Sequence, residues 1–363
     1  LTDLLPTVDT DLAGSLWAEL GATGRVASVY RDRRPERGVV PDRLRALLAE
    51  LDTIHDTGTV LSACVQLATA VPLLAETAAE STALRQTVSG EAITALAATD
   101  TGPGSELTGM ETVVEIGPDR VVVTGTKRWI TNAVGGDWLL VLARHRPGPH
   151  FTNFTWVLVP ATAPGVMVEA VQTDLFRGAG VGHVRLDAVT LPATAVLGRA
   201  GRGLPLFARH IAVERLAGGY WAAAVCHRAL GGLRRWLGDR GELWRRDVVR
   251  DRFARALVAA RQLDALAAML GPRIAGQHDQ ASAALLKAAA GSTVEQVLGE
   301  CAHLQGAAGF APNGLQRLRA ESALFGVAGG ATEVVLTGVA DHADRLLAEF
   351  ATAEPAPIGE RDS

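Results

Sequence analysis

"TKRWITNA", residues 126–133, and "TDTGPGSE", residues 99–106, are two polar, glycine-marked segments set close together in a β-rich middle third of the chain. Trp129 offers a broad aromatic face to a planar ring, and Thr131 offers a hydroxyl donor beside it. Gly102 and Gly104 let backbone N–H groups approach an anion. Together the two stretches read as half of a site for a planar, anion-bearing ligand. The sequence on either side has a different period. From about residue 11 to 93, apolar residues recur at three- and four-residue spacing, as in "PDRLRALLAELDTIHDTG", with glycine breaks between runs.

At about residue 94 the period changes to that of strands. "TVVEIGPDRVVVTGTKRWI" predicts a hairpin turning at Gly117-Pro118-Asp119, and more strands follow in "DWLLVLARH", "FTWVLVP", "VMVEAVQ" and "HVRLDAVTLP". After "LGRAGRGLPLF" the helical period returns and runs to about residue 350. The order is α+β: an N-terminal helical domain (1–93), a middle β domain (94–205), a C-terminal helical domain (206–351) and a Pro- and acid-containing tail (352–363). No GxGxxG follows a strand and strands do not alternate with helices, which excludes a Rossmann domain.

The 363 residues are 48% hydrophobic, enough to bury substantial cores. Lys+Arg 35 against Asp+Glu 39 leaves a net charge of -4, without the global basicity that attracts nucleic acid or anionic membranes. Cys64, Cys226 and Cys301 lack metal-ligand spacing and leave an odd count, so they read as reduced, structural thiols of a cytoplasmic protein. The start "LTDLLPTVDTDLAG" carries acids where a signal peptide has a basic region. Residues 60–80 approach membrane length, but Pro72 and the terminal acids predict a helix buried between other helices.

Five motifs in this order resemble those of the acyl-CoA dehydrogenase superfamily. "ATDTGPGSE" is similar to its TEPGxGSD segment, and "GTKRWITNA" to its GxKxWITNG. "HVRLDAVTLPATAVLGRAGRGL" resembles the passage leading out of its β domain. "AVERLAGG" resembles the start of its long C-terminal helix, and "LQGAAGFAPNGLQRLRAESALFGVAGGATEVV" its last flavin and active-site segment. The resemblance implies that family's fold: an N-terminal helical domain, a β-barrel-like middle domain and a C-terminal four-helix bundle. It also implies FAD as cofactor. By position, Leu96, Ala98, Thr99, Gly104, Ser105, Trp129 and Thr131 would hold the flavin, with Ser105 also near a substrate pantetheine. Arg240 would reach the pyrophosphate from a neighbouring subunit, which implies a homodimer or homotetramer. Gly306, Gly309 and Glu333 would fall on the adenosine side. Two positions depart from the pattern: Ala307 replaces the second glycine of the usual GGxG, and Leu243 replaces an aromatic. His303 or Gln305 must stand for the customary Gln.

The reaction implied is removal of a proton α to a thioester carbonyl with hydride transfer to flavin N5, which calls for a carboxylate base of raised pKa. In much of the superfamily that Glu lies in the C-terminal segment, where this chain has Gly329. The isovaleryl and long-chain branches carry it on the long helix before an Arg, and Glu214-Arg215 matches them. Gly218 lies one turn on, on the same face, and leaves space for substrate. Glu214 is therefore the expected base, Arg215 and Gly218 line the substrate, and the Gly329 N–H with a flavin ribityl hydroxyl stabilises the enolate.

The expected partner is an acyl thioester on CoA or on an acyl carrier protein, with neither nucleic acid nor membrane. Overall resemblance points to the acyl-carrier-protein dehydrogenases that make hydroxymalonyl and methoxymalonyl polyketide extender units. A short or branched-chain acyl-CoA dehydrogenase, a flavin monooxygenase of the same fold and a non-enzymatic DNA-binding relative are the alternatives.

Overall fold

The computed structural model describes residues 11–102, 107–312 and 314–351. The N-terminal region holds α1 (Asp11–Ala22), α2 (Arg25–Ser28), α3 (Pro41–Ile54), α4 (Thr57–Val65), α5 (Val71–Thr77) and α6 (Thr82–Ser89). The charged stretch at 31–37 forms two short 3-10 turns. Between α4 and α5 the chain stays helical from Thr57 to Thr77, but Gln66–Ala70 is a π-helical segment. Pro72 accounts for part of this. Lacking an N–H, it cannot return a hydrogen bond to the preceding turn. The buried Tyr30 hydroxyl instead donates to Leu67 O at 2.7 Å. As the sequence predicts, this apolar helix is almost wholly buried.

The middle region is an eight-stranded sheet ordered β6-β7-β3-β2-β4-β5-β8, with β1 (Thr94–Ala97) pairing in parallel with β4. Its other strands are β2 (Val113–Ile116), β3 (Arg120–Ile130), β4 (Trp138–Arg144), β5 (Phe154–Pro160), β6 (Val166–Ala170), β7 (Gly182–Pro192) and β8 (Val196–Leu197). The β2–β3 hairpin turns at the expected Gly117-Pro118-Asp119, where the Gly117 N–H meets Arg120 O at 2.9 Å. Strand alternation sorts the side chains between two cores. Leu139, Val141, Val157 and Val159 join the core enclosed by the sheet, whereas Leu140, Leu142, Phe154 and Trp156 face the large core shared with the helices. The sheet is thereby fixed against the helices that frame the site.

The C-terminal region opens at α7 (Gly203–Gly238), three residues ahead of the sequence boundary, and continues through α8 (Gly241–Trp244), α9 (Asp247–Gln277) and α10 (Gln280–Gln305). Where the family resemblance implies the last helix of a four-helix bundle, the chain is divided into α11 (Leu315–Ser322), α12 (Leu324–Val327), α13 (Thr332–Ala340) and α14 (Ala343–Ala351). The break between α12 and α13 falls at Gly329 and Gly330, both at positive φ. Glycine at those positions ends one helix and re-aims the next. Gly219 of α7 lets Leu286 of α10 approach so closely that a Cβ there would sit 2.7 Å from its side chain. Buried Asp52 ties α3 to α7 through Trp221 Nε1 (3.0 Å) and Arg228 Nε (2.7 Å).

Candidate active site

The register of β3 against β7 shifts between Lys127 and Ile130, which puts Trp129 outside the ladder. Trp129 adopts φ 56° and is 61% exposed. A bulky residue in the left-handed region costs about 1–3 kcal/mol, and such strain collects at ligand sites. Its N–H donates to His183 Nδ1 at 3.2 Å, and the two rings meet edge to face. The two stretches singled out in the sequence are stitched together just beneath it. Thr99 Oγ1 donates to Arg128 O at 2.7 Å, and Arg128 N donates back to Thr99 O at 3.0 Å. Fully buried Lys127 meets Asp100 at 2.5 Å, and the other Asp100 oxygen accepts from the Glu111 and Thr112 amides. Burial pulls the Lys127 ammonium down to about 8, against the attraction of Asp100.

Leu96 is half-buried on β1, Ala98 is buried and accepts from Lys127 Nζ, and Thr131 is half-buried in the turn after β3. Gly104 and Ser105 lie outside the described residues. The exposed, strained Trp129 offers an apolar face that the chain itself does not cover, with Thr99 and Thr131 on the adjoining backbone. This arrangement fits the isoalloxazine of FAD.

A second cluster surrounds Glu214. A narrow, mainly apolar cavity of about 50 Å³ is walled by Leu61, Cys64 and Val65 of α4 and by Glu214, Arg215, Gly218 and Trp221 of α7. Lys287 and Ala290 of α10 and the 324–329 segment complete it. Glu214 Oε2 accepts from Thr69 Oγ1 at 2.8 Å. A Cβ built on Gly329 would lie only 3.9 Å from Glu214 Oε1, and Gly329, at φ +71°, is held by Arg215 Nε donating to its carbonyl at 3.0 Å. The Gly329 N–H makes no hydrogen bond among the described residues and is available to a ligand oxygen. A Cβ at Gly218 would meet nothing within 4 Å, so it leaves open the space on the Glu214 face. Burial pushes the Glu214 carboxyl above the usual carboxylate range, and the Thr69 hydrogen bond and the Arg215 charge partly oppose it.

The residues expected at the far end of a flavin lie along the C-terminal helices. From Glu214 to the end of α7 is about 36 Å at 1.5 Å per residue, and Arg240 lies just beyond. There it stacks over Trp236 at 4.0 Å, out of reach of its own chain's Glu214 cavity. Gly306 caps α10 at positive φ, and buried Gly309 packs against Gln305, whose Oε1 accepts from the Leu315 N–H at 3.1 Å. His303 is taken up by Arg252 at 3.0 Å. Glu333 is exposed in the first turn of α13, where its charge acts on Lys287.

Sequence reasoning missed Thr69, the Lys127–Asp100 pair and Lys287. Pro72 inside an otherwise helical run was the one local signal of the π segment that carries Thr69. Lys287 is 4% exposed, and its hydrogen bond goes to the Thr332 hydroxyl at 3.3 Å. Burial, then the Arg215 charge, lowers it to about 8.

Residues 95–189 match the family described as acyl-CoA dehydrogenase, middle domain, and residues 201–343 match acyl-CoA dehydrogenase, C-terminal domain. Acyl-[acyl-carrier-protein] dehydrogenase MbtN of Mycobacterium sp. (strain MCS) is 29% identical over 334 residues, covering 87% of this chain and 82% of its own. The acyl-CoA dehydrogenase of Geobacillus kaustophilus superposes with a TM-score of 0.83 at 19% identity, over 92% of each chain. The FAD complex of PigA gives a TM-score of 0.82 at 19% identity, over 92% of this chain and 90% of its own. With the middle and C-terminal family domains matched in order on a shared fold, the chain belongs to the acyl-CoA dehydrogenase family of FAD-dependent oxidoreductases.

Proposed function

We propose that this protein dehydrogenates a short acyl thioester, with Glu214 taking the proton from the carbon α to the carbonyl. The observation that carries this reading is the position of the Glu214 carboxylate, which faces the Gly329 turn inside a cavity of about 50 Å³. A buried carboxylate of raised pKa is a competent base at neutral pH. Gly329 has no side chain, so its N–H can approach the thioester oxygen and stabilise the charge that develops when the proton leaves. Arg215, bonded to the Gly329 carbonyl, fixes that turn against the base. Bound FAD supplies the hydride acceptor, on the surface formed by Trp129, Thr131 and Thr99.

The cavity limits the acyl group. At about 50 Å³ it is small and favours a short acyl group. The lining is mainly apolar, with Arg215 and the nearly buried Lys287 as the cationic side chains in its wall. Similarity to a protein named as an acyl-carrier-protein dehydrogenase supports a carrier-bound substrate. Our reading is a small hydroxyacyl group on an acyl carrier protein, of the kind used in polyketide extender-unit synthesis.

A homodimer or homotetramer is part of the proposal. Arg240 cannot reach its own chain's Glu214 cavity. Val327 (70% exposed), Leu347 (64%) and Met269 (68%) leave apolar side chains uncovered in the single chain. Three buried, unpaired cysteines suit the reducing cytoplasm.

Anaerobic mixing of the yellow protein with matched acyl-CoA and acyl-carrier-protein thioesters tests this. Flavin bleaching by short hydroxyacyl carrier-protein thioesters is expected. Bleaching by long-chain acyl-CoA alone would overturn the substrate, and no bleaching with any thioester would overturn the reaction.

A further inference from the structure

We propose that Thr69, delivered by the π-helical segment Gln66–Ala70, is the positioning residue of the Glu214 base: it holds Oε2 and leaves Oε1 as the proton-accepting atom. The inference rests on Glu214 being the base and deepens that reading.

Single-turn π segments inside α-helices collect at functional sites, because they re-aim one side chain relative to the rest of the helix. Here the segment lies opposite Glu214, and its fully buried Thr69 spans the gap between the two helices with a hydrogen bond of 2.8 Å. The distortion is held from three sides. Pro72 withholds an N–H, Tyr30 supplies the buried hydroxyl that satisfies Leu67 O, and Gln66 Oε1 accepts from the Thr94 N–H at 3.1 Å. A regular helix over 57–77 would turn residue 69 to a different azimuth and lose the contact.

The hydrogen bond has two consequences. It fixes the rotation of the carboxylate, so that Oε1 faces Gly329 and the cavity, where the Cβ of any side chain at 329 would come within 3.9 Å. It also stabilises the ionised form, opposing the burial that pushes the carboxyl up. The other titratable and charged groups facing Glu214 are Cys64 of α4, Arg215 on its own helix and Lys287 of α10, with Glu333 of α13 beyond Lys287. None of these hydrogen-bonds the carboxylate among the described residues; the Thr69 hydroxyl does.

The test compares Thr69→Val, Thr69→Ser and wild type in the flavin-loaded protein. Anaerobic flavin bleaching is followed against pH, and the infrared band of the protonated Glu214 carboxyl is titrated, assigned by its absence in Glu214→Gln. Thr69→Val is expected to move the acidic limb and the infrared titration upward together by about one unit or more, the effect of losing one hydrogen bond to a charged group. The maximal rate should fall about ten-fold at neutral pH with flavin content unchanged, and Thr69→Ser should restore both. Thr69→Ala removes the same hydroxyl should the valine variant not fold. An unmoved limb and an unmoved infrared titration in Thr69→Val, or in Thr69→Ala where the valine variant does not fold, would overturn the role of Thr69. Bleaching that persists in Glu214→Gln would instead remove the base on which the proposal rests.

Discussion

Adjacent glycines on α7 should respond in opposite ways to the same added methyl group. Gly218 and Gly219 both lie deep in a 36-residue helix, so replacing either by alanine gains about 1 kcal/mol of intrinsic helix stability. At Gly218 the new Cβ meets nothing within 4 Å, and that gain is kept. At Gly219 it lands 2.7 Å from Leu286, whose side chain is fully buried and has nowhere to retreat. Overpacking of this kind costs about 1–3 kcal/mol. The two variants should therefore differ by about 2 kcal/mol in urea unfolding, with Gly218→Ala the more stable. Catalysis should follow a different pattern. Gly218 lines the cavity of about 50 Å³, so a methyl group there narrows the space open to substrate. Gly218→Ala should bleach normally with the shortest thioester and lose about ten-fold or more in kcat/KM with each carbon the pocket no longer admits. Equal stabilities for the two variants, or an unchanged chain-length profile in Gly218→Ala, would refute this account of the α7 face.

Two other perturbations probe the charges beneath and beside the site. Asp100→Asn leaves the Lys127 ammonium buried opposite a neutral amide. Breaking a buried pair from one side costs about 3–5 kcal/mol, so urea unfolding should shift by that order and flavin should be held less tightly; a loss below about 1 kcal/mol would contradict the stitching of residues 99–100 to β3. Lys287 titrates near 8 in the fold against an ordinary 10.5, so its buried charge opposes folding below about pH 8, and this opposition is relieved as pH rises from 8 toward 10.5. Unfolding free energy should gain from Lys287 over that window, and Lys287→Met should flatten the rise; an identical slope in the variant would contradict it.

The change of period at 94 and the return of helix after "GRGLPLF" were legible because patterning records which faces are buried, and they mark the sheet and α7 within a few residues. Glu214 and Gly329, 115 residues apart, could be linked in the sequence only through motif resemblance. In the structure they are neighbours because the α12–α13 turn folds back over α7. Thr69 was not legible, since the π segment depends on Tyr30 reaching Leu67 O from across the fold, and Pro72 alone does not announce that partner. The Asp100–Lys127 pair was hidden for the same reason: each residue looks like ordinary surface charge until the loop and strand are brought together. The bulge at Trp129 was also invisible, because period-two alternation gives no sign of where a strand steps out of register.

The most direct measurement on the central claim is anaerobic stopped-flow reduction of flavin-loaded Glu214→Gln. The substitution keeps the size of the side chain and leaves an amide oxygen able to accept from Thr69, while removing the group that takes the proton. The account predicts a yellow, folded protein that binds thioester and does not bleach with it at any pH. Bleaching at the wild-type rate would show that another group takes the α-proton and that the Glu214 cavity is not where the reaction occurs.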